Sequence, residues 1–198
     1  MSELLEAWVD EVPVGRALDL GAGDGETACW LASRGFTVDA IERDRAVFER
    51  LKRTCDGTTV QPHLINLMTF PMPVEKYTLI IAQAVLHFLR PTELWPLADR
   101  MCHALVPGGW LLAEVFTTDD PGYTALHASD VVEIEPNTFR VDHSIGVIHY
   151  FAPQELVRVF ASLEVLAYDE TRFIDSKSQD DYRAGAALMA RKRCDENG

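Results

Sequence analysis

The tightest constraint on this chain is the run Asp19-Leu20-Gly21-Ala22-Gly23-Asp24-Gly25, set between an apolar block and a segment of helical period. Glycines let the backbone bend sharply and leave bare main chain for a ligand to lie against. Ahead of the run, Arg16 to Leu20 reads as a strand; behind it, Glu26 to Arg34 reads as a helix closed by Gly35 as a left-handed cap. A second strand, Phe36 to Ile41, ends at Glu42. Strand, turn, helix and strand in that order form a βαβ unit, and such units build parallel sheets.

The rhythm continues. Asp44 is placed to cap a third helix that buries Val47 and Leu51, and a third strand ends near Ile65-Asn66. The run M-T-F-P-M-P-V is a loop, because its prolines cannot serve an interior strand. Tyr77 to Ala82 is apolar almost throughout, as a strand buried on both faces should be. The next helix shows a stripe of Leu94, Leu97, Ala98, Met101 and Leu105, and is expected to begin late enough to keep Pro96 in its first turn. Pro107-Gly108-Gly109 turns into a fifth strand, Trp110 to Val115. Residues 117–149 break the pattern with a turn at Asp119 to Gly122 and a hairpin around Pro136-Asn137. Insertions of that length inside compact domains are usually lids or binding loops. A helix from Pro153 to Ala161 and an antiparallel strand pair, Leu163 to Tyr168 and Arg183 to Ala190, complete the chain. Trp30 and Trp95 fall at core spacing on their helices, and His63 and His103 read as structural.

The bulk numbers narrow the function. At 198 residues the chain suits one domain over 1–198, with 117–149 as a lid-like insertion. A net charge of −13 argues against nucleic acid and anionic membranes, and the basic run Arg191-Lys192-Arg193 reads as a solvated tail. No apolar run is long enough to span a bilayer, and the acidic, broken N-terminus is unlike a signal peptide, so a cytoplasmic location is expected. Cys29, Cys55, Cys102 and Cys194 are widely spaced with no C-x-x-C pair; they are expected to be reduced, with no metal site.

Glu42 lies 21 residues after Gly21, at a strand end where a carboxylate can accept hydrogen bonds from both ribose hydroxyls. A dinucleotide site would share that acid, but its G-x-G-x-x-G fingerprint seats a pyrophosphate on the helix N-terminus. Here the third glycine comes one place early, and Asp24 and Glu26 would repel a pyrophosphate. Asp19 instead suits a cationic, amino-acid-bearing ligand. S-adenosylmethionine has an α-amino group, a sulfonium and no phosphate.

With those residues in view, the sequence resembles the class I methyltransferase superfamily from about Ala17 to Arg191. A-L-D-L-G-A-G-D-G is similar to its first motif, A-I-E-R-D to its ribose-binding acid, Y-T-L-I-I-A-Q-A-V-L-H-F-L to its fourth strand, and A-L-V-P-G-G-W-L-L-A-E to its turn into strand five. F-A-P-Q-E-L and A-A-L-M-A-R-K-R bring it nearest the small tellurite-resistance-type members. The resemblance implies a Rossmann-like, doubly wound α/β fold of about seven strands, the last antiparallel, and methyl transfer to a small, often soft acceptor. Those members carry a His-Arg pair in the final hairpin, whereas here Arg172, Lys177 and Arg183 stand without a histidine, which argues against tellurite. Cofactor contacts are expected from Asp19, Gly21, Ala22, Gly23, Glu42, Arg43, Asn66, Leu67 and Gln83, with S-adenosylhomocysteine as product and no metal. His87 is the expected general base. His127, His143, His149 and the aromatics Tyr123, Phe139 and Tyr150 are candidates to face the acceptor from the insertion. A small-molecule acceptor is the expected partner, and monomer or dimer is left open. The rival readings are a nonenzymatic S-adenosylmethionine-binding module and a nucleotide-cofactor oxidoreductase.

Overall fold

A computed structural model describes residues 2–141, 146–174 and 182–194; His143 and Lys177 lie outside the described residues. The chain opens with α1 (Glu3–Trp8), capped by the Ser2 hydroxyl, then runs through β1 (Arg16–Leu20), α2 (Glu26–Ser33), β2 (Thr37–Glu42), α3 (Arg45–Thr54), β3 (Val60–Leu64), β4 (Tyr77–Gln83), α4 (Pro91–Ala104) and β5 (Leu105–Phe116). After β5 come α5 (Pro121–His127) and three short strands, β6 (Glu133–Glu135), β7 (Thr138–Arg140) and β8 (Val147–His149). The closing elements are α6 (Glu155–Val159), β9 (Glu164–Phe173) and β10 (Arg183–Arg191).

Seven strands form one sheet in the order β3-β2-β1-β4-β5-β10-β9. The first five are parallel, and β10 is antiparallel to both β5 and β9. The direction of winding reverses between β1 and β4, so a crevice opens beyond their carboxyl ends, where open α/β sheets take ligands. This is the expected doubly wound α/β architecture.

β4 shows why its sequence is apolar on both sides. Ile80 and Ala82 face a core shared with Leu94, Leu97 and Met101 of α4 and Leu156 of α6. Leu79 and Ile81 face the opposite core, with Leu5 of α1, Leu31 of α2 and Leu51 of α3. Each fully buried aliphatic side chain contributes about 1.5–3 kcal/mol relative to exposure. The amino end of the sheet is fastened by Asp39, which accepts from Arg16 at 2.7 Å through both oxygens and from the Tyr77 hydroxyl at 3.0 Å. Burial alone would raise its pKa, but hydrogen bonds with Arg16, His63 and Tyr77 hold it at about 2.

Four expectations need correction. Cys29 and Cys55 are joined as a disulfide, with Cα atoms 5.6 Å apart, while Cys102 and Cys194 are free. Spacing along the chain does not reveal that the first turn of one helix meets the end of the next. Pro96 lies inside α4, not in its first turn, because Pro91 starts the helix. The missing amide would have served Thr92, whose exposed position lets water take the carbonyl. Trp95 is 46% exposed rather than packed in the core. Residues 119–122 are not a simple turn: Asp120 caps α5 by accepting from the Gly122 amide at 2.9 Å, with Pro121 at the first helical position.

Candidate functional site

The glycine run leaves β1 at Gly21, whose φ of +73° sits in the left-handed region. A Cβ there would lie 2.7 Å from Val85 Cγ2, so the turn after β1 and the loop after β4 approach too closely for a side chain. The Ala22 amide donates to the Ile41 carbonyl at 2.9 Å, tying the loop to the tip of β2. That tie brings Gly21 and Glu42 to one edge. At Gly23 a Cβ would meet nothing within 4 Å, so the backbone there faces open space.

A cleft of about 410 Å³ occupies this edge, within the size range of small-ligand sites. Gly21, Glu42, Arg43, Asn66 and Leu67 line it, together with Ile41, Ile65 and Met68. Across from them stand Ala84, Val85, Phe88, Leu89, Arg90 and Glu93, and Gly146 and Val147 come from the insertion. Asp19, Ala22, Gly23, Gln83 and His87 stand outside this lining. One Glu42 oxygen accepts from the Arg43 and Asp44 amides at 2.7 Å each, which fixes the carboxylate at the strand end. Asn66 folds its side-chain oxygen back onto the Met68 amide at 2.9 Å, an Asx turn that shapes the far wall.

Beneath the loop, Asp19 is 3% exposed, and its Oδ2 has no hydrogen-bond partner. Burial, reinforced by the charge of Glu42, pushes its pKa up to about 7. An orphaned buried carboxylate beside a second acid is a site that a cation would relieve.

A polar chain the sequence did not announce runs along the ends of β4 and β5. The Thr27 hydroxyl donates to Gln83 Oε1 at 3.0 Å, and Gln83 Nε2 donates to Glu114 at 3.0 Å. The other Glu114 oxygen accepts from the Ser2 hydroxyl. Since a carboxylate only accepts, it forces the amide nitrogen of Gln83 to its own side, and the Gln83 oxygen toward Thr27. The available signal was a lone acid, Glu114, ending an apolar strand.

His87 lies in a 3₁₀ turn after β4, 1% exposed, between the rings of Phe88 at 4.3 Å and Phe116 at 4.5 Å. Burial first, then the charges of Arg183 and His149, lower its pKa to about 3, and neither ring nitrogen has a partner. It is a neutral imidazole at pH 7.

The insertion packs mainly on itself. Tyr123 meets Phe139, Tyr150 and His127 edge-on at 4.6–5.9 Å, and its hydroxyl donates to Asn137. His149 is buried between Thr138 at 2.9 Å and Glu155 at 3.1 Å. Burial would raise the Glu155 pKa, but hydrogen bonds from His149 and the Ala152 amide bring it below the ordinary value. Asp120, wholly buried, accepts from Arg183 Nε at 2.8 Å and the Ala184 amide at 2.9 Å, fastening the insertion to β10.

Comparison with known proteins places this geometry. Residues 17–109, just under half of the chain, match the model of a methyltransferase domain. The uncharacterized methyltransferase Rv0089 of Mycobacterium tuberculosis is 29% identical over 109 residues, 54% of each chain, so this chain spans about half the length of that curated relative. A S-adenosylmethionine-dependent methyltransferase of Methanosarcina mazei superposes with a TM-score of 0.79 at 18% identity, over 98% of this chain and 99% of that one. Over residues 17–109 the chain is thus similar to a methyltransferase domain, and its fold is that of solved S-adenosylmethionine-dependent methyltransferases. TehB of Haemophilus influenzae shares the fold at a TM-score of 0.73 and 20% identity, over 98% of this chain and 63% of TehB. Among the described residues, no group of three or more His, Cys, Asp or Glu side chains is arranged to hold a metal, and no helix is long and apolar enough to cross a membrane.

Proposed function

We propose that this chain transfers a methyl group from S-adenosylmethionine to a small-molecule acceptor. The observation that carries the reading is Asp19: a buried carboxylate with a partnerless oxygen, at the base of a glycine loop with open space beside Gly23. A cationic ligand free of phosphate answers both features, and a pyrophosphate answers neither.

Glu42, fixed by two backbone amides, is suited to accept from ribose hydroxyls. Arg43, Asn66 and Leu67 line the wall expected to hold the adenine. Because the Asn66 oxygen is committed to its own turn, its amide N–H groups are the part best placed to serve a ring nitrogen. The main chain at Gly21, Ala22 and Gly23, with Asp19 and the fixed amide of Gln83, would receive the amino-acid end. The bound cofactor supplies an electrophilic methyl group on a sulfonium.

The protein's contribution is to hold donor and nucleophile in line, an effect worth up to about 7–11 kcal/mol in favourable models. His87 with a pKa near 3 is a poor store for a proton at pH 7. Packed between Phe88 and Phe116 and outside the cleft lining, it is not placed to act as a base on the acceptor, and this favours acceptors that arrive with a free lone pair, such as thiolates or reduced metalloids. The insertion, which reaches the cleft through Gly146 and Val147, is proposed to roof the acceptor as the lid-like part of a single domain.

A thermal-shift comparison tests the reading. S-adenosylhomocysteine at about 100 times its dissociation constant should stabilise the protein by about 2.7 kcal/mol. A shift with NAD and none with S-adenosylhomocysteine would overturn it. A methyl-release screen over thiols, metalloid oxyanions, amines and carboxylic acids then identifies the acceptor class.

A further inference from the structure

The Cys29–Cys55 bridge lies against the cofactor loop. Cys29 sits in the first turn of α2 and is half-buried; Cys55, at the end of α3, is 5% exposed. The Cys55 sulfur is 3.5 Å from the Gly25 carbonyl oxygen, the acceptor of the helical bond from the Cys29 amide that opens α2. Gly25 has φ +89°, and a Cβ there would lie 2.8 Å from that sulfur and 2.5 Å from Leu51 Cδ1. The glycine turn therefore rests directly on the bridge. The loop closed by the bridge spans 26 positions and contains all of β2, with Glu42 at its tip. One covalent bond thus ties the helix that the glycine turn opens to the end of the helix that follows Glu42.

We propose that Cys29–Cys55 is a thiol–disulfide exchange site whose oxidation state sets cofactor affinity. The reaction partner is a dithiol. One of its thiolates attacks the more accessible Cys29 sulfur, forming a mixed disulfide and expelling Cys55 as a thiolate, which takes a proton. The second thiolate of the dithiol then attacks its own sulfur in the mixed disulfide and releases Cys29, which is also protonated. Two electrons pass from the dithiol, now a cyclic or intramolecular disulfide, to the two cysteines. The reduced Cys55 thiol can donate to the Gly25 carbonyl, a bond the bridge cannot make. Opening the bridge removes the covalent tie between α2 and α3, so the glycine turn that rests on it must be ordered when the cofactor binds.

The inference rests on the cofactor site proposed above. The test is calorimetric titration of S-adenosylhomocysteine into the oxidised protein and into the protein reduced with dithiothreitol, with far-ultraviolet circular dichroism of both. The expected result is an affinity about tenfold weaker after reduction, with the circular dichroism unchanged. A Cys29→Ala/Cys55→Ala double variant should show the weaker affinity with or without dithiothreitol, while Cys194→Ser, which alters the exposed free thiol, should respond like the parent. Equal affinity in both redox states overturns the coupling, as does a thiol titration that finds all four cysteines reactive after mild oxidation. Unfolding on reduction also overturns it, because the bridge is then a staple of the fold. Failure to bind in either state removes the cofactor site itself, and the coupling with it.

Discussion

Residues 17–109 and the insertion 117–149 solve opposite problems with similar residue types. The first region spends its polar groups on openness: Gly21 and Glu42 bring backbone and carboxylate to a cleft, Gly23 leaves open space beside its backbone, and Asp19 is left buried with an unmatched oxygen. The insertion spends its polar groups on closure. Its Tyr123, Asn137, Thr138 and His149 are bonded to one another or to Glu155, and its aromatic rings pack edge to edge. Unsatisfied groups in the first region and satisfied groups in the second separate a site for a ligand from a small folded layer. An aromatic- and histidine-rich loop is thus not by itself an acceptor pocket.

The strongest way to break that comparison is to hollow out the insertion. Phe139 is 1% exposed at the centre of the aromatic cluster, and Phe139→Ala should cost about 3–5 kcal/mol. If the insertion is a layer of its own, affinity for S-adenosylhomocysteine should stay within about tenfold, or 1.4 kcal/mol. Parallel collapse of binding would make the two regions one unit. Next in size is Glu42→Ala, which leaves the solvent-exposed Arg43 and Asp44 amides to be satisfied by water. It should weaken S-adenosylhomocysteine by about 1.5–3 kcal/mol in calorimetry and leave the melting temperature of the free protein nearly unchanged. Binding equal to the parent would mean that another group holds the ribose.

The two regions also differ in how far they could be read beforehand. The strands and helices around the glycine loop follow from period, from Asp44 as a cap and from Gly35 as a stop, because these are local rules. The insertion's α5 is not legible in the same way, although Asp120-Pro121 is a local helix start, since two acids, a proline and a glycine in a row match a turn equally well. The Cys29–Cys55 pair, the Thr27–Gln83–Glu114–Ser2 chain and the burial of His87 were beyond reach for a different reason. Each joins residues whose proximity depends on strand order, and strand order is not written in any single window. His87 illustrates the consequence: its residue type suggests a base, but its surroundings of Phe88, Phe116 and Arg183 keep it neutral.

Asp19 sharpens the comparison through pH. Its folded pKa of about 7 is raised, so its ionised form is disfavoured in the free protein, and stability is lost as pH rises through 7. A cationic ligand needs that ionised form. S-adenosylmethionine affinity should therefore increase with pH, by about tenfold between pH 6 and 8, or about 1.4 kcal/mol. Asp19→Asn should bind more weakly at pH 8 and lose the dependence. A flat profile in the parent would remove Asp19 from the cofactor's cationic end.

The smallest effect is expected where the two regions touch. β8 carries Val147 into the cleft that Glu42 and Asn66 also line, while the insertion's rings stay packed among themselves. Val147 is only half-buried, so trimming it to alanine removes two methyl groups that are partly in water already. At about 0.8 kcal/mol for a fully buried methylene, Val147→Ala should weaken S-adenosylhomocysteine by no more than about 1 kcal/mol and leave the melting temperature where it was. Turnover separates the remaining possibilities. If the insertion roofs the acceptor, KM for the acceptor found in the methyl-release screen should rise more than the cofactor's dissociation constant does. A larger loss on the cofactor side would make β8 a wall of the cofactor site, and acceptor selectivity would then have to come from the Phe88 to Glu93 side of the cleft.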